Sequence, residues 1–257
     1  MSRGRFYYIR KAEGARVFQI EIAGLTVQID NKYGEVYEHC IGYILPENRE
    51  PDICVEATKE YITAGREWLL KYDNTVASDS YAEFSQIHHN IYPQLPLFDA
   101  FWLHAVAIEI DGACYALTAP SGYGKSTQAA LWTERWPGRA RIINGDNPII
   151  RRRNGVYYAY GTPFCGKEGY NINTHSPLRG VCYLRHGEKN SIERLDPCVA
   201  YGRLLHDSAE LIGPDDMRAL ATVLADFAAA VPVYRLTCNQ EPEAAEVAYE
   251  GMKHGGN

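Results

Sequence analysis

The chain carries little that would stabilise it from outside its own core. Its seven cysteines (Cys40, Cys54, Cys114, Cys165, Cys182, Cys198, Cys238) are odd in number and contain no C-x-x-C pair, which argues against a disulfide framework and a zinc site. No stretch reaches the roughly 18 apolar residues of a membrane span. The opening Met1-Ser-Arg-Gly-Arg brings charge before any apolar run, unlike a secretory signal. Basic excess is also missing: the net charge of −6 lacks the footprint of a nucleic-acid binder. These absences give the expectation of a cytoplasmic protein with neither a membrane nor a nucleic-acid partner.

What is present suits a folded α/β protein. The 257 residues are 46% hydrophobic and 23% charged, enough to bury a core unaided. The first seventy residues read mostly as strands. Phe18, Ile20 and Ile22 alternate with polar neighbours, Leu25, Val27 and Ile29 resume after Gly24, and Ile53–Val55 is a third run. Ser80-Tyr-Ala-Glu83 offers a capping box for a helix with Tyr81, Phe84, Ile87 and Ile91 on one face, ended by Pro93 and Pro96. Residues 1–97 are therefore expected to form a β-rich section packed on a core of residues 98–257.

In that core, strands 103–110 and 113–118 flank a primed turn at Asp111-Gly112. A helix follows to about Arg135, then a strand at 141–143 and a hairpin about Asn154-Gly155. A strand near 181–184, a helix from Met217 to Val231, a strand at 233–236 and a helix over 241–252 complete the reading. Strands alternating with helices indicate an α/β or α+β domain.

One segment carries a chemical signature. Ala119-Pro-Ser-Gly-Tyr-Gly-Lys-Ser-Thr127 fits the phosphate loop G-x-x-x-x-G-K-[ST] with alanine at its first position, and it stands between a strand and a helix as that motif requires. Gly122 and Gly124 allow backbone N–H groups to turn inward, and the helix start adds its dipole. Lys125 is placed for β- and γ-phosphates and Ser126 for Mg²⁺. A nucleoside triphosphate is the expected ligand. Asn144-Gly-Asp146 ends the next strand, where Asp146 is a metal-side ligand, a general base or a solvated turn carboxylate. By strand alternation Asn144 and Asp146 should point the same way. Three further features have ordinary structural readings: Arg151-Arg152-Arg153 as a solvated hairpin, His88-His89 as surface residues, and Tyr157, Tyr158 and Tyr160 as strand packing.

Together, His104-Ala-Val-Ala, the Asp-Gly hairpin, the loop through Thr127, Gly145-Asp146, Tyr160-Gly-Thr-Pro-Phe164, Gly166-Lys167 and Pro177-Leu178 resemble the HPr kinase-like family. That family shares its nucleotide-binding core with phosphoenolpyruvate carboxykinases, and the resemblance runs from about Leu103 to Leu205. It implies that Ser121, Gly122, Tyr123, Gly124, Lys125, Ser126 and Thr127 hold ATP phosphates, with Ser126 and Asp146 beside Mg²⁺. It further implies Asp146 as the acid–base group, His104 at the catalytic centre, and Lys167 on the transferring phosphate or an anionic acceptor. The family's second adjacent acid is Asn147 here. The resemblance thus implies an ATP-dependent kinase of a serine-type hydroxyl on a small molecule or peptide, with a homo-oligomer left open. A regulatory nucleotide-binding protein and a P-loop ATPase are the alternatives.

Overall fold

The computed structural model describes residues 16–254, apart from positions 73, 121, 167, 210–212, 214 and 215. Ser121 and Lys167 lie outside the described residues. The chain divides into two compact units, one running through Tyr92 and the other starting at Pro93.

In the first unit, β1 (Arg16–Ile22) and β2 (Leu25–Asn31) form an antiparallel hairpin. Its turn, Ala23-Gly24, has positive φ at both residues, the twist-matched form. α1 (Gly34–Cys40) follows, then β3 (Ile53–Glu56), which lies parallel to β2. α2 (Lys59–Tyr72) and α3 (Asp79–Ile91) complete the unit. This corrects the expectation of a mainly β front section. α2 was illegible because Tyr61, Trp68 and Leu70 are exposed while Ile62 and Leu69 are buried, so its apolar pattern has no clean helical stripe.

The capping box is also corrected. Ser78 caps α3, its Oγ accepting from the Tyr81 amide at 3.1 Å. Glu83 is fully buried and accepts from the backbone amides of Lys32 and Tyr33 just before α1. Removing the carboxylate breaks two hydrogen bonds to a charged acceptor, each worth about 1.5–3 kcal/mol before water replaces part of it. Glu83→Ala is expected to lower stability by roughly 2–4 kcal/mol, read from urea unfolding of the full chain. His88 and His89 are half-buried rather than surface residues: the His88 ring stacks on Tyr92, and burial pushes His89 down to about 4.

The second unit has mixed α/β architecture. β4 (Ala100–Trp102), β5 (Ala105–Ile110) and β6 (Ala113–Thr118) precede α4 (Lys125–Arg135). β7 (Ala140–Asn144) and the hairpin of β8 (Ile149–Arg153) with β9 (Val156–Tyr160) come next. β10 (His175–His186), β11 (Ser191–Arg194), α5 (Pro197–Ser208), α6 (Met217–Ala230), β12 (Val233–Cys238) and α7 (Glu243–Lys253) follow. One sheet runs in the order β4-β8-β9-β10-β6-β5-β7, with β12 pairing β10 and β11.

Helices cover both faces of its central strands. Ala105, Ala107, Cys114 and Ala116 pack toward Leu204, Leu220, Leu224 and Phe227 of α5 and α6. The alternate residues Val106, Ile108, Tyr115 and Leu117 pack toward Ala129 and Trp132 of α4 and Ala248 and Tyr249 of α7. Burial on both faces explains why these strands read as nearly unbroken apolar runs. α5 was not expected, although Pro197 opens it and the Asp196 carboxylate accepts from the Cys198 amide at 2.8 Å. Met217 begins α6 as expected, while Pro214 and Asp215 of its proposed start lie outside the described residues. No helix among the described residues is long and apolar enough to cross a membrane.

Candidate active site

Sheet direction brings His104, Asp146 and the glycine-rich loop to one edge. β5 is antiparallel to both β6 and β7 and lies between them. The start of β5 therefore adjoins the ends of the other two. His104 precedes β5, the glycine-rich loop follows β6, and Asp146 follows β7. Two bonds fasten this edge: Thr118 Oγ1 donates to the His104 carbonyl at 2.8 Å, and the Ala105 amide to the Asp146 carbonyl at 3.0 Å.

The loop has the backbone that its glycines predict. Gly122 and Gly124 take φ of 79° and 91°, in the region where a side chain is strained. The helix then starts at Lys125. The Lys125 aliphatic stem is buried, and Nζ donates to the Ala119 carbonyl at 3.0 Å while lying 3.0 Å from His104 Nε2. Burial holds its pKa below the ordinary lysine value, only partly countered by Asp146 and Glu168. Tyr123, Ser126 and Thr127 are exposed.

His104 Nε2 also stands 3.1 Å from Asp146 Oδ1. Nε2 donates to that carboxylate in one tautomer and accepts from the Lys125 ammonium in the other. Burial pushes the Asp146 carboxyl up, but the His104 hydrogen bond and charge, Lys125 and Asn147 together outweigh it. Its pKa lies below the usual carboxylate value, so the group is an anion at neutral pH.

Asn144 organises the turn. Its buried Oδ1 accepts from the amides of Asp146 at 2.9 Å and Asn147 at 2.6 Å. Its Nδ2 donates to the carbonyl and Oγ1 of Thr162, both at 3.1 Å. Strand alternation, expected to point Asn144 and Asp146 the same way, does not reach Asp146, because β7 ends at Asn144 and a turn separates the two. The segment after β9 is held against this turn. Gly161 there is obligatory, since a Cβ would lie 1.9 Å from the Ile172 carbonyl oxygen. Ile172 in turn donates its amide to the Ile143 carbonyl at 2.9 Å.

No family model matches the chain, and no curated protein matches it. Among solved structures, the HPr(Ser) kinase/phosphatase from Coxiella burnetii is similar over 60% of this chain and 91% of its own, with a TM-score of 0.38 and 11% identity.

Two side chains at this edge, Trp102 and Glu168, were missed from sequence. Trp102 Nε1 donates to Asn147 Oδ1 at 2.8 Å, and Asn147 Nδ2 donates to Asp146 Oδ2 at 3.1 Å. An indole N–H can only donate, which fixes the Asn147 amide with its NH₂ toward Asp146. Glu168, in the loop containing Gly166, accepts from Ser126 Oγ at 3.2 Å. Trp102 had a signal, its place two residues before His104. Glu168 had none, because its approach depends on the fold of the loop between β9 and β10. Among the described residues no group of three or more His, Cys, Asp or Glu forms a metal site.

Proposed function

We propose that this chain is an ATP-dependent kinase transferring the γ-phosphate to a serine-type hydroxyl of a small molecule or peptide, with Asp146 as general base. The observation that carries this reading is the meeting of a glycine-rich strand–loop–helix with a His104–Asp146 pair at one sheet edge. The HPr kinase-like motifs from His104 to Leu178 support it.

In this reading the loop amides and the α4 N-terminus hold the phosphates. Lys125 leaves the Ala119 carbonyl to offset charge on the β- and γ-phosphates. Asp146, ionised and oriented by His104 and Asn147, takes the acceptor's proton as its oxygen meets phosphorus. Lys167 would offset charge on the γ-phosphate or an anionic acceptor. The described donors suit Mg²⁺: Ser126 Oγ and the Asp146 carboxylate are hard oxygens, too few alone, as expected of an ion that shares its shell with substrate phosphates. That ion supplies charge neutralisation on the phosphates.

The test is incubation with ATP, Mg²⁺ and a panel of serine-containing metabolites and peptides, read by mass spectrometry. A gain of one phosphate on an acceptor supports the proposal. Nucleotide binding with no transfer and no hydrolysis would indicate a regulatory binder, and hydrolysis without an acceptor an ATPase.

Asn147→Asp tests the carboxylate's setting. It would replace an N–H donor 3.1 Å from Asp146 Oδ2 with a second anion. Two adjacent carboxylates do not both ionise readily, so one pKa rises. The acid limb of the transfer rate is expected to move up by about one pH unit or more, measured as a pH–rate profile.

A further inference from the structure

The donor's nucleoside has no place in the site so far. β6 has two neighbours: β5, which leads to β7 and Asp146, and β10, which leads to β12. β10 is parallel to β6 and runs past its end, since Tyr183 lies opposite Thr118 and three residues still follow to His186. His186 therefore stands level with the phosphate loop, on the side opposite Asp146. There Tyr123, the residue between the two positive-φ glycines of the loop, stacks on the His186 ring, with centroids 5.3 Å apart and planes 28° from parallel. Tyr123 is 49% exposed and His186 is also exposed. Neither ring belongs to the hydrophobic clusters on the two faces of the sheet.

A triphosphate whose γ-phosphate faces Asp146 and His104 must send its α-phosphate and nucleoside the other way, across the loop toward β10 and β12. We propose that Tyr123 and His186 form a stacking shelf for the nucleobase of the phosphate donor. This rests on the nucleotide reading given above. The chemistry suits a planar base: an aromatic face stacks on any base without reading its edge. His186 supports one face of the Tyr123 ring, so the ring is positioned before the ligand arrives. The Tyr123 backbone belongs to the proposed phosphate loop, which couples the placement of base and phosphates.

The test compares ATP with inorganic tripolyphosphate, which has the phosphates and no base. Dissociation constants with Mg²⁺ would be measured by calorimetry for the wild type, Tyr123→Ala, Tyr123→Phe and His186→Ala. The wild type is expected to bind ATP more tightly than tripolyphosphate. Tyr123→Ala and His186→Ala are expected to weaken ATP roughly tenfold more than they weaken tripolyphosphate, within the range of base–aromatic stacking. Tyr123→Phe should keep the ATP affinity. Equal weakening of both ligands would reduce Tyr123 to a loop-shaping residue and overturn the shelf. Unchanged ATP affinity in the alanine variants would overturn it too, while leaving the nucleotide reading intact. A folded wild type that bound neither ligand would end both.

Discussion

Asp146→Asn is expected to slow phosphoryl transfer by roughly 10²–10⁴-fold, the usual contribution of a positioned acid–base group, while ATP affinity changes little. A group that takes the acceptor's proton acts in the transition state, so its loss appears in kcat and not in ground-state binding. The substitution keeps the shape and removes the charge, and the turn itself is held by Asn144. Steady-state kinetics beside calorimetric ATP binding checks this. A collapse of ATP–Mg²⁺ binding would make Asp146 a metal-side residue, and unchanged transfer would pass the proton to another group, His104 first. Because the folded Asp146 carboxyl lies below its ordinary value, the wild-type rate should show no acid limb from this group above about pH 4. The same depression adds stability above the unfolded pKa, lost as pH falls through the folded one.

Lys125→Ala is expected to weaken ATP binding or turnover by at least about an order of magnitude, since its ammonium is the cation that the motif brings to the β- and γ-phosphates. The fold should survive. Nζ meets the Ala119 carbonyl and His104 Nε2, two contacts beside the loop, so the free protein loses little by truncation. Calorimetry with circular dichroism as a folding control checks both halves. A folded variant with unchanged binding and turnover would remove the phosphate-loop reading.

The residues that sequence made legible are those whose chemistry is local. Asp111-Gly112 and Asn154-Gly155 turn where positive φ is required, and Gly122 and Gly124 announce their loop by spacing. His104 and Asp146 could be paired once the strand order was known, because each sits at the end of a strand. Glu168 was silent, Trp102 was marked by its place before His104 alone, and Glu83 was read as half of a capping box. Each acts through a partner that only folding delivers: the amides before α1 for Glu83, Asn147 for Trp102, and Ser126 for Glu168. α2 was lost for a related reason, its exposed aromatics masking the few residues that pack inward.

β10 sets a limit on how the proposed site can adapt. Its first residues pair with β9, the middle of the strand with β6, and Val181–His186 with β12. One continuous twelve-residue span thus joins the β8–β9 hairpin to the strand that feeds the glycine loop. A hinge between those regions would have to tear ladder hydrogen bonds along β10. In the proposed kinase, movement that admits a substrate or releases a product is therefore expected in segments that leave the sheet, such as the glycine-rich loop and the connection from β9 to β10, and cross-linking these two should slow exchange of whatever the site holds.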